Sequence, residues 1–344
     1  MKHRLRAGAL VALGLCLCAL FTLSGAFSFQ GGGWHTAAPP AAVQKVSAQD
    51  QAAEAFYHHV WQLTADNFLW QDRMQDWSKW EHKFDGKLHS QKDAERAVND
   101  LLDTLNDPYT YFKDAPLTTS RGKASQAANV VSSKMLPGDV GYIRINTFGS
   151  TNESNELEAA LKALPNAKSY IIDLRDNGGG YVWQAFRSFA MLGGTQTFTT
   201  LKGRSGGSAY TEVLEVSATE LLDSENGKVT SRTARPADLT GGKPLVILVN
   251  GDSASASEML TGALRDARGA TVVGVQSFGK GIAQNTYDLD GGTSVQITFA
   301  KYYFPSGANI HKVGIKPDVE VRHGLIGDGQ LDAAEKLAKD AQTK

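Results

Sequence analysis

The chain has 344 residues, long enough for one large domain or two smaller ones, each with a hydrophobic core. Its 35 Lys and Arg nearly balance its 36 Asp and Glu, and no basic run stands out, which argues against a nucleic-acid-binding protein. The two cysteines, Cys16 and Cys18, both lie near the amino terminus. The rest of the chain therefore offers no Cys nucleophile, Cys-ligated zinc site or disulfide framework.

The first 26 residues have the pattern of an export signal. Residues 1–6 are basic, residues 7–29 carry no charge, and Ser24-Gly25-Ala26 provides the small residues after which a signal peptidase cleaves. The alternative is an uncleaved membrane anchor, because about 20 apolar residues suffice to span a bilayer. Both interpretations predict a periplasmic or secreted protein. Residues 27–47, rich in Gly, Ala and Pro without periodicity, predict a flexible linker.

Three helices are predicted within residues 48–113, which we expect to form a helical amino-terminal domain. Apolar residues recur at helical spacing from residue 48 onward. A second helix is predicted around 73–84. The third begins after Ser90, a preferred N-cap residue type, and ends before Pro108, which cannot continue a helix. Residues 114–139 are expected to form a short irregular connector.

Between residues 140 and 325, predicted strands and helices alternate, which indicates an α/β core. The segment 203–243 is polar and rich in Gly and Ser, and we expect it to be mobile, with at most a short hairpin. A closing helix is predicted in the final segment, 326–344. The other predicted strands lie at 140–146, 169–174, 245–249 and 270–275, with a hairpin through Asp290-Gly291-Gly292 up to Phe304; the helices lie at 153–164, 182–192 and 256–267.

A cluster of small residues follows the apolar strand 245–249. Its serines, Ser253, Ser255 and Ser257, lie on a predicted strand-to-helix turn. The free N–H groups of a helix's first turn can face a developing oxyanion there. The simpler interpretation is that Ser253 or Ser255 only caps the helix, and the segment taken alone favours that interpretation.

Lys280 lies between two glycines, one βα crossover beyond the serine cluster. Because parallel crossovers bring consecutive strand ends to the same edge of a sheet, we expect Lys280 to approach Ser255. Burial would lower the pKa of its amine, so that the neutral amine could accept the serine proton. Gln284 follows at a spacing suited to orienting that amine. The alternative is a surface lysine in a glycine turn.

The segment Asp173–Gly180 ends another predicted strand and begins another helix. Its three glycines allow backbone N–H groups to point into a site as part of an oxyanion hole. A helix cap or a phosphate loop is the alternative, although the spacing matches neither the Walker pattern nor G-x-G-x-x-G. A Ser–His–Asp arrangement through His311 also stays open. The candidate serines do not lie in the G-x-S-x-G elbow of hydrolases, because Gly251-Asp252-Ser253 continues with Ala254-Ser255, and the motif H-E-x-x-H is absent from the sequence.

Taken together, these motifs resemble the carboxy-terminal processing (tail-specific) serine proteases. Several motifs occur in order and at the spacing of that family. They are Asn106-Asp107-Pro108-Tyr109-Thr110, Gly141–Ile145, Asp173–Gly180, Ser253–Glu258, Phe278–Gly281 with Gln284, and Ala300–Gly307 through Gly314–Asp318.

The resemblance implies a ClpP/crotonase-like α/β core and hydrolysis of peptide bonds through an acyl-serine, without a cofactor. By position, Ser255 is implied as the nucleophile, Lys280 as the general base and Gln284 as the residue that holds the lysine. The substrates implied are proteins or peptides, with small apolar residues at the cut.

The resemblance also implies an oxyanion hole formed by the backbone N–H of Ala256 and that of Gly179 or Gly180. The family usually carries a PDZ domain between the N-D-P-Y-T and G-Y-I-R-I motifs. Residues 111–140 are too few for such a domain, so we expect a member without it, and strict specificity for C-terminal tails does not follow. A non-catalytic binding protein on the same fold and an esterase or other acyl hydrolase with the same dyad remain alternative functions.

Overall fold

The computed structural model describes residues 47–114, 129–322, 324 and 327–343. These residues belong to one compact unit, Val46–Lys344. The predicted signal or anchor, residues 1–26, lies outside the described residues, as does all of the predicted linker except residue 47. Among the helices of the described ranges, none combines the length and the apolar character needed to cross a bilayer.

Three helices open the described part of the chain: α1 (Ala48–Asn67), α2 (Trp77–Glu81) and α3 (Gln91–Asp103). Side-chain caps begin two of them, because the hydroxyl of Ser47 accepts the Asp50 N–H and that of Ser90 accepts the Asp93 N–H. The second helix is shorter than predicted. Asp76 has a left-handed φ of 55°, which a right-handed helix cannot incorporate, so the helix starts only after it.

Thirteen strands and four further helices follow within the described ranges, and they confirm the predicted α/β architecture. The strands are β1 (Tyr111–Lys113), β2 (Val131–Leu136), β3 (Val140–Ile145), β4 (Ser169–Asp173), β5 (Gln196–Ser205), β6 (Ser208–Val216), β7 (Glu220–Glu225), β8 (Lys228–Ala234), β9 (Leu245–Val249), β10 (Thr271–Gly274), β11 (Ile282–Asp288), β12 (Ser294–Tyr303) and β13 (Val319–Glu320). The helices are α4 (Glu153–Lys162), α5 (Val182–Met191), α6 (Ala256–Arg268) and α7 (Gly329–Asp340).

The central sheet has six strands in the order β13-β10-β9-β4-β3-β2. All neighbours pair in parallel except β2, which is antiparallel to β3. Apolar side chains cover both faces, as a buried parallel sheet requires. Helices α4, α5 and α6 pack on one face in the largest core, and Ala334 and Ala338 of α7 pack on the other against Ile171 and Val246.

The second sheet is antiparallel and is organised around β12. Its strand order is β1-β12-β5-β6-β7-β8, and β11 pairs with the other edge of β12. The first half of β12 pairs with β1, and its Val295 and Ile297 join a core formed with the amino-terminal helices. Its second half pairs with β5. One strand therefore connects the helices to the rest of the sheet.

Two segments expected to lack regular structure contain strands instead. The connector 114–139 includes β2, and the segment 203–243 forms most of β5 to β8 rather than a mobile loop. Gly206-Gly207 and Asn226-Gly227 have positive φ angles and make the two-residue turns that join antiparallel strands. The prediction was wrong here because β8 is largely exposed, so its sequence lacks the apolar alternation that identifies a strand.

The guanidinium of Arg175 should stabilise the fold by connecting the end of β4 to the start of α7. It donates to buried Asp173 at 2.6 Å and to Asp328 at 2.8 Å. Arg175→Ala removes a positive charge that compensates the buried negative charge of Asp173. We therefore expect a loss of about 3 kcal/mol in the free energy of unfolding, measured with urea. Arg232→Ala, which breaks an exposed pair between Arg232 on β8 and Glu220 on β7, should cost less than about 1 kcal/mol. Equal losses would contradict this role for Arg175.

Candidate active site

A cavity of about 780 Å³ lies where the loops after β4, β9 and β10 come together. It brings together Ser255, Lys280, Gln284 and the glycines Gly178–Gly180, as the sequence predicted. Parallel pairing of the three strands places their carboxyl ends side by side, and the three loops therefore meet at one edge of the sheet. Tyr109 forms part of the opposite wall.

Ser255 occupies a strained position at the start of α6. Its φ is 57° and its ψ is −117°, a region that side-chain-bearing residues rarely adopt and that costs on the order of 1–3 kcal/mol. Its backbone N–H donates to the carboxylate of Glu258 at 2.9 Å. Ser255 is thus the N-cap residue of the simpler interpretation and also lines the cavity.

The structure distinguishes between the three serines of the cluster. Ser253 is fully buried, and its hydroxyl donates to the carbonyl of Leu174 at 2.8 Å. Ser257 is also fully buried and donates to the carbonyl of Asn177 at 2.8 Å. Both hydroxyls hold the adjacent glycine segment in place, and of the three only Ser255 lines the cavity.

Lys280 is half-buried across the cavity from the helix start, with its ammonium 4.7 Å from the ring centroid of Tyr109. Burial lowers the pKa of this ammonium, while the negative charges of Asp107 and Glu258 act in the opposite direction. Within the described ranges, no hydrogen bond joins the Lys280 amine to the Ser255 hydroxyl. Hydrogen bonds between catalytic groups are often long or poorly aligned before substrate binds.

Gln284 lines the same cavity from β11. Its amide donates to the hydroxyl of Thr298 at 3.4 Å, on the neighbouring strand β12. The sequence instead predicted that this amide holds the lysine, and that contact stays a prediction. A register shift between Ala283 and Gln284 interrupts the regular pairing of β11 with β12 at this point.

The glycine segment approaches the start of α6 very closely. A Cβ on Gly179, whose φ is 95°, would lie 2.8 Å from the Cβ of Ser255 and 2.9 Å from the nitrogen of Ala256. The Gly179 N–H already donates to the side-chain oxygen of Asn177 at 3.0 Å. The N–H of Gly180, which also lines the cavity, has no acceptor among the described residues, which favours Gly180 over Gly179 as a free donor.

His311, the histidine of the alternative triad, lies in a different cavity of about 430 Å³ together with Trp70 and Phe278. Its Nδ1 is buried without a partner in the described part of the chain, and burial lowers its pKa. It does not line the cavity of Ser255, which argues against the Ser–His–Asp arrangement. In the described ranges, no three His, Cys, Asp or Glu side chains are grouped so that they could hold a metal ion.

Glu258 is the residue of the site that sequence reasoning missed. It is 1% exposed and contacts the backbone of both Ser255 and Lys280. Ser255 and Glu258 have the S-x-x-E spacing of a capping box, which could have indicated the first contact. The second contact joins segments 22 residues apart in the chain, and no local pattern reports it.

Residues 139–321, more than half of the chain, match the sequence model of peptidase family S41. The chain belongs to this family. A carboxy-terminal-processing protease of Bartonella bacilliformis is 33% identical over 254 residues, which cover 71% of this chain and 54% of the relative. A carboxyl-terminal-processing protease of Synechocystis is 38% identical over 198 residues, covering 57% and 41%. The chain thus spans about half the length of these relatives.

Solved structures share the fold. A photosystem II D1 C-terminal processing protease superposes with a TM-score of 0.62 over 85% of this chain and 98% of that protein, at 19% identity. A lipoprotein from Streptococcus agalactiae gives 0.59 over 87% and 99%, at 15% identity. At these identities the likeness concerns the fold alone. It confirms the predicted α/β core with a helical amino-terminal region, and the family match confirms the resemblance.

Proposed function

We propose that the chain is a serine-type peptidase that hydrolyses peptide bonds through an acyl-serine, with Ser255 as nucleophile and Lys280 as general base. The observation that carries the proposal is that both side chains line one cavity together with the backbone of Gly178–Gly180. Membership of peptidase family S41 and the processing proteases among its relatives support it.

In this reaction the neutral amine of Lys280 takes the proton of the Ser255 hydroxyl, and the serine oxygen attacks the substrate carbonyl carbon. The carbonyl oxygen becomes an oxyanion that accepts hydrogen bonds from the N–H groups of Ala256 and Gly180. The Lys280 ammonium then gives its proton to the leaving amine. Lys280 next takes a proton from a water molecule, whose oxygen attacks the ester carbonyl carbon. The C–O bond to Ser255 breaks, and the Lys280 ammonium returns the proton to the serine oxygen. Gln284 orients the amine during these steps.

The proposed substrates are unfolded or tail segments of proteins, cut next to small apolar residues. The glycine backbone of one cavity wall leaves room for an extended peptide beside Ser255. An esterase could use the same dyad, and its activity is the second candidate. A non-catalytic binding protein is disfavoured because Ser255 and Lys280 are both present and line one cavity.

Replacing the nucleophile should abolish cleavage without unfolding the protein. We expect Ser255→Ala to lose activity on the order of 10⁴-fold or more, measured by mass spectrometry of the fragments from an unfolded protein and from a peptide in free-acid and amidated forms. Ser253→Ala and Ser257→Ala, which alter buried neighbours, should lose much less. An active Ser255→Ala enzyme would disprove the assignment. Hydrolysis of esters without any cleavage of peptide bonds would favour the second candidate.

The general base should be visible in the pH dependence. Because burial lowers the pKa of Lys280, the neutral amine exists at lower pH than for an exposed lysine, and kcat/KM should rise with pH through that pKa. Lys280→Arg should be nearly inactive at every pH, since a guanidinium stays protonated. Lys301→Arg, on β12 outside the cavity lining, is the matched control and should keep the wild-type profile. Substantial activity in Lys280→Arg would exclude the dyad.

We also propose that the protein is exported to the periplasm or secreted, on the basis of the residue pattern at 1–26. Cell fractionation combined with intact-mass measurement tests this proposal. A soluble exported chain beginning at Phe27 indicates cleavage after Ala26, whereas a full-length chain in the membrane fraction indicates an anchor. A full-length chain in the cytosol would contradict export.

A further inference from the structure

Glu258 is a buried carboxylate that bridges two loops of the site. It lies in the first turn of α6 and is 1% exposed. Its Oε2 accepts the backbone N–H of Ser255 and that of Lys280, both at 2.9 Å. Its Oε1 accepts the N–H of Gly279 at 2.8 Å and the hydroxyl of Ser277. One side chain thus binds the backbone of the proposed nucleophile and the backbone of the proposed base.

These contacts exceed what a helix cap needs. A capping box joins a glutamate to the N-cap residue of its own helix, as Glu258 joins Ser255. The other three donors belong to residues 277–280, beyond the next strand of the sheet. A carboxylate is costly to bury unless hydrogen bonds compensate it, and four donors do so here. Three of these donors are backbone N–H groups, so the carboxylate fixes the course of the main chain.

We propose that Glu258 is a positioning residue that holds the backbone of the nucleophile and the backbone of the base in one fixed relation; this inference rests on the proposed function. Ser255 has a strained φ of 57°, which persists only where its surroundings enforce it. Small errors in the placement of reacting groups are costly, on the order of 10²-fold in rate for a shift of about 1 Å.

The charge of Glu258 also acts on the amine of Lys280. Three groups from different parts of the chain act on this amine: the negative charges of Asp107 and Glu258 raise its pKa, and its nitrogen lies 4.7 Å from the ring centroid of Tyr109. On the other side of Glu258, the hydroxyl of Tyr302 donates to the carbonyl of Ser255 and is neutral. Burial raises the pKa of Glu258, whereas the hydrogen bonds from Ser277 and from three backbone N–H groups lower it and favour the charged form. The negative charge of Glu258 raises the pKa of Lys280 against the effect of burial, so its removal should lower that pKa further.

Glu258→Gln is the test, because it keeps the size of the side chain but offers one oxygen to four donors. In either orientation its NH₂ group would face at least one backbone N–H group that now donates to the carboxylate. We expect kcat to fall on the order of 100-fold, with KM changed less than about threefold. The rising limb of kcat/KM should move to lower pH. A purely structural role would lower the rate without moving the limb.

Glu153→Gln is the matched control. Glu153 is also fully buried at the start of a helix, α4, and accepts a hydrogen bond from Ser188, but it does not line the cavity. Burial raises its pKa to about 8, so the side chain is mostly neutral at pH 7 and the replacement changes little. We expect wild-type kcat and an unmoved limb for this variant.

Two further measurements are needed. The first separates the effect of the Glu258 charge from the effect of its side-chain length, and the second tests this inference independently of the proposed function. Glu258→Asp keeps the charge but is one methylene short, so kcat should fall while the limb stays near that of the wild type. Acetylation of Lys280 by acetic anhydride over a pH series, followed by peptide mapping, reports the pKa of the amine without any peptidase assay. Its profile should move to lower pH in Glu258→Gln.

The outcomes are distinct. Wild-type protein that cleaves neither proteins nor peptides would refute the proposed function, and the acetylation profile would still decide the inference. A Glu258→Gln protein with wild-type kcat, or with a reduced kcat and unmoved pH and acetylation profiles, would overturn the role of Glu258. Should Glu258→Gln not fold, wild-type kcat in Glu258→Asp would overturn it.

Discussion

The parallel pairing of β4, β9 and β10 is the constraint on which the site depends. Because neighbouring strands lie about 4.8 Å apart, the loops that follow their carboxyl ends lie close together. The first loop carries the glycines, the second carries Ser255 and the third carries Lys280. Buried hydroxyls also join the first two loops, because Ser253 and Ser257 of the second loop donate hydrogen bonds to carbonyls of the first. The positions of the proposed catalytic groups therefore follow from the arrangement of the strand ends.

Backbone strain at Ser255 and burial of Lys280 both cost free energy in this region. Ser255 adopts a backbone conformation that is unfavourable for a serine, and Lys280 gives up solvation that favours its charged form. The carboxylate of Glu258, which has no direct part in the proposed reaction, accepts the backbone N–H groups of both residues. Buried polar contacts therefore hold the loops of the site, whereas apolar packing holds the faces of the sheet.

Much of this arrangement could be predicted from the sequence. The strand 245–249, the helix after Ser255 and the position of Lys280 follow from periodicity and from the geometry of parallel crossovers. The strands of 203–243 could not be predicted in this way, because solvent on their exposed positions removes the apolar alternation, although Asn226-Gly227 is a strong turn signal in retrospect. The second contact of Glu258 was invisible for another reason, since it depends on the distance between two loops, which no local pattern encodes.

The role of β12 has a consequence for how the chain can be divided. The family match ends at residues 139 and 321, yet β12 lies within it and buries Val295 and Ile297 against helices α1 and α3, which lie outside it. A recombinant fragment cut at the boundaries of the match would expose that apolar face to water and lose Tyr109, which covers Lys280. The segment that the family model matches is thus smaller than the segment that packs as one unit.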